Sequence, residues 1–130
     1  MVIFENTSTN NTKKTLEIAV NKAKELSADI MLSTTTGASA TAAIDLSKDM
    51  DYTGKIIVVT RVWGMKASGE NDLLPENRKI LEENGVCIVT TAHTLSGFER
   101  AINGKFGGTY PVEIMAHILQ MFSQGIKSVR

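Results

Sequence analysis

The residues of this chain best suited to chemistry form the run Ser33-Thr34-Thr35-Thr36-Gly37-Ala38-Ser39-Ala40-Thr41. It begins where an apolar segment, Asp29-Ile30-Met31-Leu32, stops, and it opens a short Ala-rich stretch. A strand that ends in small hydroxylated residues and a glycine, with a helix start directly after it, leaves backbone N–H groups and the positive end of the helix dipole aimed at one spot. Such a spot is an anion cradle, and phosphate is its expected occupant. Ser and Thr also cap helices that bind nothing, so plain capping is the competing reading.

Two further segments end in the same kind of residue. Thr60-Arg61-Val62-Trp63-Gly64 adds a cation and an aromatic ring that could stack on a ligand ring, although Trp serves equally in cores and interfaces. Thr90-Thr91-Ala92-His93-Thr94-Leu95-Ser96-Gly97 adds Ser96 and His93. An imidazole titrates near neutrality, which makes His93 the candidate acid or base, against a hydrogen-bonded loop histidine as the alternative. Arg61, Arg100 and Lys105 are the cations that could balance an anion, and each could equally be a surface residue. No carboxylate pair, metal-ligand spacing around His117 or nucleophile elbow at Ser96-Gly97 accompanies them, so no metal is expected.

These segments need elements to hold them. From Thr12 onward Leu16, Ala19, Val20, Ala23 and Leu26 recur with the helical period, with Asn11 or Thr12 as the cap. Ile30-Met31-Leu32 reads as a buried strand, and a short helix runs through Ala42, Ala43, Ile44 and Leu46. Lys55-Ile56-Ile57-Val58-Val59-Thr60 is the clearest strand, and its unbroken β-branched run predicts cover on both faces, as in a parallel sheet between helices. The next helix has Pro75 in its first turn and Gly85 past its end. Residues 86–90 form a third strand, which makes Cys87 a small core residue rather than a nucleophile. After the polar, glycine-rich passage from Phe98 to Thr109, Pro111 starts the longest apolar helix, with Gly125 as its C-cap. Val112, Met115, Leu119 and Phe122 form one stripe that Ile114, Ile118 and Met121 widen, and so broad a stripe predicts a largely buried helix.

Strand, helix, strand, helix, strand gives an α/β domain with a mainly parallel sheet and helices on both faces, a three-layer α/β/α arrangement. Ligands collect at the carboxyl ends of strands in such sheets, which is where the three hydroxyl-rich segments converge. At 130 residues and 42% hydrophobic the chain is expected to be one domain, residues 1–130. With 14 basic and 14 acidic residues, nothing points to nucleic acid or an anionic membrane as partner. The single cysteine excludes an intrachain disulfide, and the N-terminus lacks the basic region of a signal peptide; a cytoplasmic location is expected.

Laid out this way, the chain resembles the carboxyl-terminal domain of pyruvate kinase, and more closely the stand-alone pyruvate-kinase-C-terminal-like proteins of bacteria and archaea. Thr34-Thr35-Thr36-Gly37-Ala38-Ser39-Ala40 is similar to the Thr-x-Ser-Gly-x-Ser/Thr-Ala loop that holds a phosphate of the allosteric sugar bisphosphate in pyruvate kinase. His93-Thr94-Leu95-Ser96-Gly97, through Phe106-Gly107-Gly108-Thr109-Tyr110-Pro111, to Ser123-Gln124-Gly125, resembles the stand-alone proteins alone. The resemblance covers essentially the whole chain. It implies a phosphate held at the loop from Thr34 to Ala40; together with the converging strand ends, the expected site for a phosphate-bearing ligand (a sugar phosphate, a nucleotide or a flavin nucleotide) is Ser33, Thr34, Thr35, Thr36, Gly37, Ser39, Thr60, Arg61, Trp63, His93 and Ser96. The resemblance implies no pyruvate kinase catalysis, because that enzyme's catalytic residues lie in another domain. The family continues beyond the point matching Arg130 and places its first strand in the middle of the sheet. A chain truncated there is expected to leave residues 30–32 with an unpaired edge and the helix of Phe122 partly uncovered, and hence to self-associate or be marginally stable. Three functions stay open: a small-molecule binding or regulatory domain, an uncharacterised enzyme using His93, and a protein-interaction subunit. A homo-oligomer suits each.

Overall fold

The structure is a computed structural model that describes residues 2–6, 8, 10–92, 96–122 and 126, with residues 96–100 described through their helical backbone alone. Eight elements follow one another: α1 (Asn10–Leu26), β1 (Ile30–Thr34), α2 (Ala38–Asp49), β2 (Ile56–Thr60), α3 (Pro75–Glu83), β3 (Cys87–Thr90), α4 (Ser96–Phe106) and α5 (Pro111–Phe122). The first helix starts at Asn10, one residue ahead of Asn11 and two ahead of Thr12, the two expected caps. Ser8 Oγ accepts the Asn10 amide at 3.2 Å, while the Asn11 side chain donates to the Asn6 carbonyl.

The first three helices end in the same way, and this ending turns the chain sharply toward the next strand. Ala28 N donates to Ala23 O, Tyr52 N to Ser47 O and Val86 N to Leu81 O, at 2.8–3.0 Å. In each case the residue just before the donor, Ser27, Asp51 or Gly85, has a positive φ. This is the Schellman motif, which satisfies carbonyls that a helix end leaves open. Only at Gly85 does the residue type announce it.

The strands form one parallel sheet in the order β1-β2-β3, each strand joined to the next through a helix. Ile30 pairs with Ile56, and Leu32 with Val58, which in turn pairs with Ile88. Leu32, Ile56, Val58 and Ile88 pack with Ala40 and Ile44 of α2, Leu81 of α3 and Leu73, while Leu16 and Val20 of α1 close on Ala43, Leu46 and Ile30. All of these sheet residues have the same parity, so α1, α2 and α3 sit over one face. β1 is an edge strand among the described elements, as expected for residues 30–32.

The opposite face carries Met31, Ser33, Ile57, Val59, Cys87 and Val89, and among the described residues it is incompletely covered. Met31 is 53% exposed, Val89 is 37% exposed and Cys87 is exposed. The expectation of a core cysteine is therefore corrected. Val86-Cys87-Ile88-Val89 is apolar throughout, so its alternation between a covered and an open face cannot be seen from residue type.

The glycine-rich passage after β3 contains helix α4, whose signal was Phe98, Ile102 and Phe106 at four-residue spacing behind Gly97, Gly104, Gly107 and Gly108. It packs on α5. The expected burial of α5 is also corrected: Met121 is 85% and Phe122 74% exposed, and Ala116 is its one buried residue. The described chain places no layer against its apolar side.

The hairpin of α4 and α5 is fastened by Glu113, which accepts Asn103 Nδ2 at 2.7 Å and the Tyr110 amide at 3.1 Å. The second bond is one half of a capping box at the start of α5. Hydrogen bonds from Asn103 and Tyr110, with a smaller contribution from the charge of His117, hold the Glu113 carboxyl below its ordinary pKa. A group whose folded pKa is lowered contributes its stabilisation above the unfolded value and loses it as pH falls through the folded one. The protection of the α4 and α5 amides, taken relative to their intrinsic exchange at each pH, is therefore expected to fall below the ordinary glutamate range, and Glu113→Gln to bring that lower protection to neutral pH. Unchanged Tyr110 exchange in the variant would show that the carboxylate does not hold the hairpin.

Candidate functional site

The three strands finish on one line. Thr34 is in register with Thr60, and Thr60 with Thr90, so the carboxyl edge of the sheet is a row of three threonines on the face that carries α2 and α3. Thr34 and Thr60 are buried, and the Thr60 and Thr90 hydroxyls lie 2.7 Å apart. β1 runs two residues further than the apolar segment suggests and takes Ser33 and Thr34 into the ladder.

Beyond Thr34 the chain turns tightly into α2. Thr34 Oγ1 accepts the Gly37 amide at 3.1 Å and the Ser39 hydroxyl at 3.0 Å, so it braces the turn from inside. Gly37 is the N-cap residue, with φ 101°. Ala40 N and Thr41 N both donate to its carbonyl, and Ala38 and Ser39 are left as the first-turn amides. Thr35 and Thr36 are exposed at the tip. The threonines thus divide into one that supports the turn and two that face solvent, a distinction the repeated Thr34-Thr35-Thr36 conceals.

The turn is held from outside by the start of α3. The Thr36 carbonyl accepts Asn77 Nδ2 at 2.9 Å and the Leu74 amide at 3.2 Å. Leu74 is the N-cap position of α3, whose N–H has no acceptor within the helix and reaches across instead; Pro75, at the first helical position, has no N–H to satisfy. Asn77 and Leu74 were not among the residues expected from sequence, and no local pattern marks a partner 41 positions away.

The second loop leaves β2 at Arg61. Its guanidinium pairs with Asp72 at 2.8 Å, where the Asp72 side chain is only 11% exposed, so an anion reaching Arg61 shares it with that carboxylate. The Asp72 partnership ties the loop back to the segment before α3, and Gly64 N donating to Glu70 O closes it further. Trp63 lies on this loop, 57% exposed. Next to the ion pair, Asn71 Oδ1 accepts the Leu73 amide at 2.8 Å, while its buried Nδ2 has no hydrogen-bond partner among the described residues.

The third loop contributes less to the description. His93 lies outside the described residues, Ser96 is placed through its backbone as the first residue of α4, and Arg100 likewise through the backbone of that helix. Lys105 Nζ rests 5.4 Å above the ring of its neighbour Phe106. The strand ends therefore bring together Thr34, Thr35, Thr36, Gly37 and Ser39 on one turn, with Thr60 beside it, while the Ser33 side chain lies on the opposite face of the sheet and only its carbonyl faces Ser39, at 3.5 Å. Arg61 and Trp63 follow on the adjoining loop.

Chemically, this edge offers hydroxyls, first-turn amides of a 12-residue helix and a partly engaged guanidinium. Among the described residues no group of three or more His, Cys, Asp or Glu side chains could hold a metal ion, and no helix is long and apolar enough to cross a membrane. No protein-family model matches this chain.

Proposed function

We propose that this chain is a small-molecule binding domain that takes the phosphate of a metabolite or nucleotide at the amino end of α2, in a three-layer fold of the pyruvate kinase C-terminal-domain type, without kinase catalysis. One observation carries the reading: the in-register row Thr34, Thr60, Thr90 ends flush with a helix whose first-turn amides, Ala38 and Ser39, follow a glycine cap. Anions are stabilised at such a helix end by the amides and the dipole together. The hydroxyls of Thr35 and Thr36, exposed at the tip, supply further donors, while the Ser39 hydroxyl is spent on Thr34 Oγ1; Arg61 supplies charge from the next loop.

Titration of the labelled chain with inorganic phosphate, and separately with a nucleoside monophosphate, tests this. The Ala38 and Ser39 amide resonances are expected to move first and furthest. Thr35→Ala combined with Thr36→Ala is expected to weaken binding by about 1–3 kcal/mol, the cost of losing hydrogen bonds to a charged acceptor. Ser68→Ala, on the exposed loop after Trp63, serves as the control and leaves affinity unchanged. Saturating phosphate that leaves the Ala38 and Ser39 resonances in place would remove this turn from any ligand site.

A further inference from the structure

Two apolar surfaces of this chain are incompletely covered among the described residues. One is the open face of the sheet, where Met31, Ile57, Val59, Cys87 and Val89 lie on the side away from α1, α2 and α3. Parallel sheets are stable when both faces are covered, because their strands are apolar on both. The other is the exposed side of α5, where Ile114, Met115, Ile118, Met121 and Phe122 are each at least half exposed. These residues include Ile114, Ile118 and Met121, which with His117 line a shallow groove along the helix.

We propose that two copies of this chain pair by exchanging helices, α5 of each lying across the open sheet face of the other. The two surfaces are complementary in kind. The sheet lacks a covering helix, and the hairpin of α4 and α5, which packs on itself, lacks a sheet to cover. Each chain supplies one of each, so a twofold pair satisfies both surfaces and leaves neither repeated in an open chain of copies. The dimensions agree. A helix of 12 residues is about 18 Å long and about 10 Å across, and three strands at about 4.8 Å spacing present a strip of about that width.

The area is also adequate. A large apolar side chain removes about 60–120 Å² from water when buried. Five from α5 with Met31 and Val89 from the sheet, taken over two symmetric contacts, give roughly 800–1,700 Å², against about 1,200–2,000 Å² for a standard specific interface. His117 is the one side chain among the residues named that can carry a positive charge; the others are uncharged, so no ion pair has to be desolvated when the surfaces meet. This pairing is independent of the phosphate reading, since it uses the face opposite α2.

Cys87, the only cysteine of the chain, lies on that open face and reports the contact directly. Ile114→Cys, Ile118→Cys and Met121→Cys, introduced one at a time and oxidised, are expected to yield a disulfide to Cys87 of the other copy for at least one position. The product is a band of twice the chain mass on a non-reducing gel, lost in the Cys87→Ser background. Sedimentation equilibrium of the unmodified chain is expected to give the dimer mass. Met31→Lys and Met121→Lys, at side chains already exposed in the single chain, are each expected to raise the dissociation constant at least tenfold while leaving the far-ultraviolet spectrum unchanged. A disulfide formed within one chain would show that α5 folds onto its own sheet and would overturn the exchange. So would a monomer at all concentrations, or a dimer that both lysine variants leave intact.

Discussion

Gly37→Ala is expected to destabilise the fold by about 2–5 kcal/mol, a large share of the roughly 5–15 kcal/mol that holds a domain together. Two costs combine in one methyl group. The backbone at Gly37 has φ 101° and ψ −12°, a conformation that side-chain-bearing residues resist. A Cβ there would also stand 2.6 Å from Asn77 Cβ and 2.9 Å from Leu73 Cδ1. Leu73 can rotate, but Asn77 Cβ is fixed to the backbone of α3, so the helix itself has to retreat. Its retreat removes from the Thr36 carbonyl the two donors that hold the turn. Gly85→Ala separates the two costs: φ there is 68°, yet nothing lies within 4 Å of the added carbon, so only the backbone cost of about 1 kcal/mol remains. Urea unfolding of both variants gives the comparison. Equal losses at the two positions would mean that α3 does not press on the turn.

This glycine also marks the boundary of what could be read in advance. Its presence between a strand and a helix is visible in Thr36-Gly37-Ala38, and a phosphate-binding loop is one good reason for it. The second reason, the approach of Asn77, depends on a residue 40 positions later and on a sheet that exists only after folding. The same holds for Arg61, which reads as a spare cation until Asp72 is brought beside it. Local features were legible where one physical cause determined them. The period of Leu16, Val20 and Ala23 built α1, and Pro75 with Gly85 bounded α3. The Ser and Thr residues that end the apolar runs did converge at one edge, and the register sharpened this into Thr34, Thr60 and Thr90.

Residue type was less informative where two structures need the same composition. A strand covered on both faces and a strand with one apolar face left open are written alike, so Cys87 was expected in the core. An apolar helix that stays exposed is written like one destined for the interior, and α5 was expected to be buried. α4 was hidden for the opposite reason, because its glycines weaken a helical pattern that packing against α5 restores.

Leu81→Ala should cost about 2–5 kcal/mol, through lost apolar burial and the cavity that remains, and its consequence should reach the candidate site. Leu81 is fully buried against Ala40, Ile44, Val58 and Leu73, and it is the one buried residue of α3. A helix of nine residues is too short to persist on its own in water, so its docking through Leu81 is what keeps it helical. The Leu81 carbonyl also accepts Val86 N at 3.0 Å, which fixes the corner into β3. At the other end of the same helix Leu74 and Asn77 hold Thr36. Loosening α3 therefore frees the turn at Gly37, although Leu81 touches none of its residues in that core. Amide exchange at residues 36–39 is expected to quicken in Leu81→Ala, and phosphate-induced shifts at Ala38 and Ser39 to require higher phosphate. Ile80→Ala, on the same helix but 41% exposed, should cost less than about 1 kcal/mol and leave the turn as it is. The pair separates packing from helix propensity, because both substitutions introduce the same good helix former. If Leu81→Ala lowers the urea midpoint while residues 36–39 keep their exchange rates, the turn is held by its own hydrogen bonds to Thr34 Oγ1, and α3 only rests against it.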